Sequence, residues 1–272
     1  MSSLTPQVMF NVEPVSPTLT LGEGPHWHPP TQSLYFVELF QGKINRYHPE
    51  TNGYFSASIE GYNGIVSLVI PIEFKPDTFV VGLGSSIGTV EWDGRSNKTS
   101  RPKYMKLIDD TPGNNLNDGK VDAIGRLWID TYKYMVEAHD FDIASGDLSN
   151  RKVIFDLSVT KIESFPDGIT INRDGNLWLA CFNSNQESFP ILKIDPNTGT
   201  LLMTVQLPAY QITSVASGPE LDQLYMTTGS IWLTEEQKCK QPYSGALLRV
   251  TNTGSTGFAG VSAKYNLCPV EN

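Results

Sequence analysis

The sequence is poor in cysteine, in histidine, in basic clusters and in long apolar runs. Its three cysteines, Cys181, Cys239 and Cys268, are odd in number and far apart, which argues against a disulfide framework or a Cys-x-x-Cys metal site. We expect buried thiols instead. No stretch approaches the length of a membrane span, and residues 1–24 combine neither a basic segment nor an apolar run. We therefore expect a cytoplasmic protein with no membrane partner.

The charge balance also limits the kind of partner. The formal net charge is −9 and the isoelectric point is near 4.9, and no window concentrates Lys and Arg, so a surface that tracks nucleic-acid phosphates is not expected. With 39% hydrophobic residues in 272, the chain can bury a sizeable core. We expect a single domain over residues 1–272, with poor order at residues 1–18.

Short apolar segments that follow polar turns recur at a period near 48 residues. The equivalent positions are Leu34, Phe79, Leu127, Leu177 and Leu224, at intervals of 45, 48, 50 and 47 residues. Most are followed by an alternating segment that ends in a turn, as in "GTVEWDG" and "ILKIDPNTG", which is typical of hairpins. This pattern predicts an all-β fold, a β-propeller of repeated blades. A β-sandwich is the weaker alternative, since sandwiches do not repeat at fixed intervals.

Three turns place an acid or an amide beside glycine and before an apolar strand. They contain Glu23 in "LGEGPHW", Asn117 in "NLNDGKVD" and Asp167 in "FPDGITI". Because equivalent turns of different blades converge on a propeller axis, these oxygens suit a hard cation such as Ca²⁺, Mg²⁺ or Mn²⁺. Asp-Gly and Asn-Asp-Gly are also common turn sequences for backbone reasons alone. Spacing leaves both interpretations open.

Two further motifs are weaker. The segment "GSSIG" matches the G-x-S-x-G pattern of a nucleophile elbow, but a strand follows it where a helix is required, so Ser86 is expected in a hairpin. The segment "HWH" puts His26 and His28 on one side of a strand, as a zinc site would need. With four histidines in the chain and two prolines directly after the motif, a surface pair is favoured.

Taken together, these phrases resemble the SMP-30/gluconolactonase/luciferin-regenerating enzyme family, which includes regucalcin. The motifs occur in family order from Leu21 to the C-terminus and include "LGEGPHW", "NDGKVDAIGRLW", "PDGITINRDGNLWLA" and "GFAG". The resemblance implies a six-bladed propeller with one divalent metal ion on its axis, which hydrolyses sugar lactones or related esters. The ion would be Ca²⁺, Zn²⁺, Mn²⁺ or Mg²⁺.

The resemblance also implies roles for individual residues. Glu23, Asn117 and Asp167 correspond to metal ligands, Asn117 is also the axial amide that faces substrate, and Asp167 corresponds to the general base. Family members often carry Arg two residues before this amide, in contact with substrate, and here that position is Asn115. Loss of a guanidinium removes a charge and a fork of donors, so we expect a different substrate preference or rate.

A larger departure lies between Trp128 and Ile129. There the family carries the rest of one blade and the start of the next, including an Asn ligand to the metal, and this chain has no such turn. We expect about one blade to be missing, which leaves a hybrid blade whose local strand register survives the join. The ring then has five blades or is an incomplete six-bladed ring, with exposed edges and lower stability.

The functional prediction is a divalent-metal-dependent hydrolase of sugar lactones, in which Asp167 positions or deprotonates the attacking water. Its partner is a small-molecule lactone or ester. The alternative is a non-catalytic Ca²⁺-binding regulatory propeller or an inactive shortened isoform. A luciferin-recycling hydrolase is a third hypothesis. None of the residues named above selects that substrate.

Overall fold

The computed structural model describes residues 10–108, 110–111, 114–121, 127–129, 136–141, 148–157, 160, 162, 164–182, 190–218 and 222–264. Its helical elements there are one short helix, α1 (Glu235–Lys240), and two 3₁₀ turns, Pro29–Thr31 and Leu39–Gln41. Within the same residues, no helix has the length and apolar character that a membrane crossing needs.

All other regular elements of the described residues are strands, and they form six sheets. In chain order they are β1 (Asn11–Pro14), β2 (Gly22–His28), β3 (Ser33–Glu38), β4 (Lys43–His48), β5 (Gly53–Ser58), β6 (Val66–Pro71), β7 (Thr78–Leu83), β8 (Ser86–Glu91), β9 (Lys103–Leu107), β10 (Gly119–Val121), β11 (Leu127–Ile129), β12 (Val136–Phe141), β13 (Leu148–Phe155), β14 (Phe165–Ile171), β15 (Leu177–Phe182), β16 (Pro190–Asp195), β17 (Thr200–Gln206), β18 (Ile212–Ser217), β19 (Leu224–Thr228) and β20 (Leu248–Thr251).

Four sheets are complete and antiparallel, with four strands each: β2 to β5, β6 to β9, β14 to β17, and β18, β19 and β20 with β1. Consecutive strands pair through short turns, as the alternating segments with Asp, Asn, Pro and Gly predict. Repeated sheets of four short strands are the blades of a β-propeller. The predicted fold class is confirmed.

The apolar repeats of the sequence are the second strands of successive sheets. Leu34 lies in β3, Phe79 in β7, Leu127 in β11, Leu177 in β15 and Leu224 in β19. Every side chain of β3 and β19 is buried. A strand that is covered by other sheets on both faces has no solvent-exposed face. Its sequence is therefore continuously apolar and does not alternate with polar residues.

Two half-sized sheets occupy the region of the predicted hybrid blade. β10 pairs with β11 and β12 pairs with β13, but no pairing joins β11 to β12 in the described residues. The junction lies inside β11, and its register survives, since Ile129 still pairs with Gly119. Within the described residues β10–β11 and β12–β13 are separate two-stranded sheets, so the expected continuous hybrid blade is not seen there. Six sheets, two of them halves, correspond to an incomplete six-bladed ring.

Buried apolar clusters join neighbouring sheets. One lies between the sheets of β2 and β6, one between those of β2 and β18, and one between those of β14 and β18. Representative members are Tyr35 and Val69, Trp27 and Tyr225, and Trp178 and Val215. Each fully buried aliphatic or aromatic side chain contributes about 1.5–3 kcal/mol to stability. Packing between sheets therefore holds this part of the ring together.

The half-sheets pack on opposite neighbours. Val121 of β10 lies against the cluster of Leu68 and Leu116, on the sheet of β6. Phe155 of β13 belongs to a cluster with Leu192, on the sheet of β14. Each two-stranded sheet therefore packs against a different complete sheet. This agrees with a junction that joins the inner strands of one blade to the outer strands of the next.

The chain closes on itself through its N-terminal strand. β1 pairs with β20 as the outermost strand of the last sheet, and the Val15 amide donates to the Leu247 carbonyl oxygen at 2.8 Å. On the inside, Thr213 Oγ1 donates to the Gly22 carbonyl oxygen at 2.6 Å and links β18 to β2. Poor order was expected at residues 1–18; residues 1–9 lie outside the described residues, whereas β1 is a paired strand.

A C-terminal segment, residues 255–264, crosses one end of the ring. Its backbone makes hydrogen bonds with Arg173, Trp27 and Pro71, at 2.7, 3.0 and 2.9 Å, which belong to three different sheets or their turns. The segment therefore ties together blades that are distant in sequence.

The innermost strand β14 is uncovered compared with its counterparts. All side chains of β6 and β18 are buried, whereas Phe165 and Ile171 of β14 are 50% and 43% exposed. β10, on the other side of the junction, is also only partly buried. The two more exposed inner strands are therefore the ones on the two sides of the junction.

We predict that truncation at the start of β14 costs less than truncation of a buried residue at the start of β18. Ile212→Ala should cost about 2–5 kcal/mol, because Ile212 is fully buried. Phe165→Ala should cost clearly less although it removes a larger side chain. Urea unfolding followed by circular dichroism measures both. Equal or greater loss for Phe165→Ala would show that β14 is covered in solution.

Candidate functional site at the propeller axis

The four described innermost strands of complete sheets share an irregularity near their N-terminal ends. Pairing with the second strand shifts between Glu23 and His26 in β2, and at equivalent places in β6, β14 and β18. The residues at or beside these shifts include Ser67, Asp167 and Thr213. A bulge re-aims side chains that a regular strand would place on a sheet face. Polar residues are thus presented at equivalent places of four blades.

Glu23 is the most buried carboxylate of this set, with 5% of its surface exposed. Its Oε2 accepts a hydrogen bond from the Gly24 amide at 3.2 Å. Burial raises the pKa of Glu23 well above its usual value, and the negative charges of Asp167 and Asp118 raise the pKa further. The Gly24 amide and Lys120 act in the opposite direction. Glu23 and Asp167, two predicted site residues, are therefore electrostatic neighbours.

Asp118 is a member of the cluster that the sequence interpretation did not select. Its Oδ1 accepts from the Gly119 amide at 2.6 Å, and its Oδ2 lies 3.4 Å from Lys120 Nζ. Gly24, with φ +55°, brings the backbone of β2 close, since a Cβ there would lie 3.6 Å from Asp118 Oδ1. The signal was present in the sequence as the acid of "NDG", next to the chosen amide.

The other two predicted residues lie on the same segment. Asn117 is half-buried directly before Asp118, and the segment is anchored where the Leu116 amide donates to the Gly84 carbonyl oxygen at 2.9 Å. Asn115 Oδ1 lies beside Gly84, 3.5 Å from the place a Cβ would take, with the Tyr62 hydroxyl on the same glycine at 3.6 Å. Asn115 and Tyr62 thus flank the β7–β8 turn, and sequence alone did not point to Tyr62.

The oxygen donors of this cluster are of the kind that binds cations, although they form no closed coordination site among the described residues. In the described residues, no three His, Cys, Asp or Glu side chains stand in metal-ligating geometry. Burial and the charges of Asp167 and Asp118 nevertheless disfavour the ionised form of Glu23, and Lys120 offsets them only in part. Oxygen donors of this kind suit hard divalent cations.

The minor motifs have structural explanations. Ser86 is the first residue of β8 and pairs with Leu83, so its predicted hairpin location is confirmed. The predicted surface pair of histidines is wrong for His26, which is 5% exposed and whose pKa is lowered by burial to about 3. His28 is partly buried, and its Nδ1 lies 2.9 Å from Thr31 Oγ1.

The cysteine prediction is correct for one residue and wrong for another. Cys181 is fully buried in β15, and burial raises the pKa of its thiol to about 12. Cys239 is exposed on α1 because this helix, which has no buried residue, lies on the surface. Cys268 lies outside the described residues.

With this geometry in view, comparison with known proteins identifies the family. A profile of the "SMP-30/Gluconolactonase/LRE-like region" matches residues 21–134 and again 127–230. The chain belongs to this family. The two matches meet at residues 127–134, where the missing blade was predicted, so the division of the profile coincides with the two half-sheets.

Several full-length relatives are similar over nearly the whole chain. Regucalcin of Xenopus laevis is 28% identical over 299 residues, which cover 90% of this chain and 95% of that protein. Regucalcin of Danio rerio is 30% identical over 289 residues, covering 88% of this chain and 92% of that protein. Both alignments are longer than this chain of 272 residues, so the relatives carry residues that this chain lacks.

Solved structures agree. A luciferin-regenerating enzyme is 30% identical with a TM-score of 0.83, covering 94% of this chain and 100% of that one. A calcium-binding protein, regucalcin from Agrobacterium tumefaciens, is 17% identical with a TM-score of 0.77, covering 95% and 98%, and shows the shared fold.

We predict that Glu23→Gln stabilises the protein in EDTA at neutral pH. Because the folded protein raises the pKa of Glu23, the protonated carboxyl stabilises the fold below the unfolded-state pKa of about 4.5. This contribution to the free energy of unfolding is lost as pH rises through the folded-state pKa. The variant should match the parent at pH 4 and have the higher Tm at pH 8. Glu50→Gln, at an exposed turn, is the control and should change neither value. A variant less stable than the parent at pH 8 would contradict the burial of this charge.

Proposed function

We propose that the protein is a divalent-cation-dependent hydrolase of sugar lactones. The observation that carries the proposal is the buried carboxylate of Glu23, which lies within electrostatic reach of Asp167 and Asp118 at the inner ends of the blades. Membership of a family named for gluconolactonase supports the substrate class. A regucalcin described as a calcium-binding protein shares the fold and supports the cation.

The residues present fit a hard cation through their donor chemistry. Glu23 and Asp167 supply carboxylate oxygens, and the neighbouring Asn117 supplies an amide oxygen. A cation would remove the repulsion that raises the pKa of Glu23. When bound, it would act as a Lewis acid toward the lactone carbonyl. The candidates remain Ca²⁺, Zn²⁺, Mn²⁺ and Mg²⁺.

In this proposal Asp167 serves as the general base. It sits on the bulge of β14, partly buried and therefore reachable by water, unlike Glu23. In the reaction a water oxygen forms a bond to the carbonyl carbon, Asp167 accepts the proton of that water, and the ring C–O bond breaks. The proton then passes to the leaving alkoxide, which gives the open hydroxy acid and restores Asp167.

Asn115 and Asn117 would orient the substrate. Both are half-buried, and the bond between the Leu116 amide and the Gly84 carbonyl oxygen fixes the segment between them. The Tyr62 hydroxyl, on the other side of Gly84, could contact sugar hydroxyls. Because Asn115 is neutral, it suits hydroxyl groups better than anionic substituents. A small neutral lactone or ester is therefore the proposed substrate.

A second function is favoured by one specific observation. Among the described residues β10 pairs only with β11 and β12 only with β13, and no three His, Cys, Asp or Glu side chains there stand together as metal ligands. A chain that binds Ca²⁺ without turnover would fit these facts. Calcium binding measured by calorimetry in the absence of hydrolysis would select this alternative.

The first test is hydrolysis of glucono-δ-lactone by EDTA-treated protein, with each cation added back separately. Activity should return with at least one cation, and Asp167→Asn should lower kcat at least about 100-fold, the lower range for loss of a general base. Asp174→Asn, an exposed acid in the next turn, is the matched control and should keep full activity. Full cation-dependent activity in Asp167→Asn would rule out the assigned role.

A second test restores the family's arginine. Asn115→Arg should raise kcat/KM for sugar lactones several-fold, because a guanidinium adds donors toward the substrate beside Gly84. The same change at Asn114, a neighbouring half-buried amide, is the control. Lower activity in Asn115→Arg alone would show that the neutral amide is required here.

A further inference from the structure

The turns that follow the second strands of the complete sheets lie at the same end of the ring as the carboxylate cluster. Antiparallel pairing sets the end of each second strand beside the start of the inner strand, as Gly22 pairs with Glu38 in the first sheet. The last sheet has the same arrangement in β18 and β19. The turn after β3 and the loop after β19 are therefore on the side where Glu23 lies.

Both turns are anchored on the two residues that lead into β2. The Leu39 amide donates to the Leu21 carbonyl oxygen at 2.9 Å. The Ile231 amide donates to the Thr20 carbonyl oxygen at 3.0 Å. Leu21 precedes Glu23 by two residues, which is roughly 7 Å along an extended chain. These hydrogen bonds hold both turns close to the carboxylate cluster.

Each anchored turn carries an exposed aromatic side chain. Phe40 directly follows Leu39 and is 41% exposed, and Trp232 directly follows Ile231 and is 66% exposed. Their ring centroids lie 6.4 Å apart at an interplanar angle of 60°, which is an edge-to-face arrangement. Phe40 and Trp232 therefore form one aromatic pair beside the cluster, although they belong to different sheets.

The backbone keeps the Trp232 side chain in solvent. Its φ is +62°, in the left-handed region that bulky residues rarely adopt. The carbonyl oxygen of the preceding Ile231 accepts a hydrogen bond from Nε2 of the buried Gln211. The following residue, Leu233, is buried in the core beside β18 and β19. Strained backbone held from both sides in this way occurs mostly at binding and active sites.

The size of the aromatic pair favours a small group over a protein as its occupant. An aromatic side chain buries roughly 150–250 Å² when it is covered, whereas a stable protein interface buries roughly 1,200–2,000 Å². Two such side chains fall well short of an interface. They are sufficient to cover one apolar substituent of a small molecule.

The rim of the site changes from apolar to polar along one direction. Gly42, two residues after Phe40, lies against the Gly64 carbonyl oxygen, 2.9 Å from the place a Cβ would take. Gly64 lies against the Tyr62 hydroxyl, and Tyr62 and Asn115 flank the β7–β8 turn. A lactone whose carbonyl lies at the carboxylate cluster would thus direct polar groups toward Asn115 and an apolar group toward the aromatic pair.

We propose that Phe40 and Trp232 bind an apolar substituent of the substrate, so that the site prefers lactones that carry an alkyl or aryl group. The inference rests on the proposed hydrolase function and deepens it, because it states which lactones enter the same site. A contact that is equal in the ground state and the transition state lowers KM and leaves kcat unchanged.

The test compares δ-decalactone, which carries a pentyl chain, and δ-phenyl-δ-valerolactone with unsubstituted δ-valerolactone, in the presence of the cation that supports hydrolysis. KM of the parent should be at least about tenfold lower for one or both substituted lactones, as expected for added apolar contact. Trp232→Ala should lower the ratio of kcat/KM for substituted over unsubstituted lactone about tenfold, through KM. Phe40→Ala should act in the same direction, and Trp232→Phe should keep most of the ratio.

Phe74→Ala is the matched control. Phe74 is also an exposed aromatic residue with a left-handed backbone, at 92% exposure and φ +59°, but it follows the inner strand β6 and lies at the opposite end of the ring. This variant should keep the ratio of the parent. Equal KM for the three lactones, or the same ratio in Trp232→Ala and Phe74→Ala, would overturn the proposal.

A second readout separates this inference from the hydrolase function, because it needs neither a cation nor turnover. Iodide quenching of fluorescence reports Trp232, since Trp27, Trp92 and Trp178 are buried, and Trp232→Phe is the reference that lacks this signal. In EDTA-treated protein the lactam 6-pentylpiperidin-2-one should protect Trp232 from iodide, whereas piperidin-2-one should not. Protection without hydrolysis of any lactone would support the aromatic pair and refute the hydrolase function. Absence of both would overturn the inference as well.

Discussion

Face-to-face packing of neighbouring sheets is the constraint on which this structure depends. No single blade can bury both faces of its strands, so each complete sheet relies on a cluster shared with the next, as Tyr35 shares one with Val69. The pairing of β1 with β20 and the bond from Thr213 to Gly22 secure the join between chain ends. Where a neighbour is missing, the consequence is local: β14 keeps its pairing with β15 but exposes Phe165 and Ile171.

Much of this arrangement could be predicted because it follows from short sequence segments and the intervals between them. Burial on both faces produces the continuous apolar segments at Leu34 and Leu224, and a fixed interval between such segments is a property of repeated blades. Glu23 and Asp167 could be paired in advance because equivalent turns converge on an axis, and the electrostatic coupling between their carboxylates agrees with this. Whether they bind a metal remains a prediction.

What the sequence did not predict depends on packing between distant segments. His26 looked like a surface residue beside two prolines, but its burial depends on Gly260, more than two hundred residues away. The hybrid blade looked continuous because strand order was intact, whereas each half is held by a different neighbour through Val121 or Phe155. A local pattern cannot tell which of two partners will cover a strand.

The junction also bears on the carboxylate cluster. Asp118 directly precedes β10 and Asp167 lies on β14, so the two carboxylates that raise the pKa of Glu23 come from opposite sides of the junction. Lys120 of β10 acts on the same group in the opposite direction. Because β10 packs against the sheet of β6 and β14 packs against β18, the charges around Glu23 are positioned by complete blades on both sides of the junction.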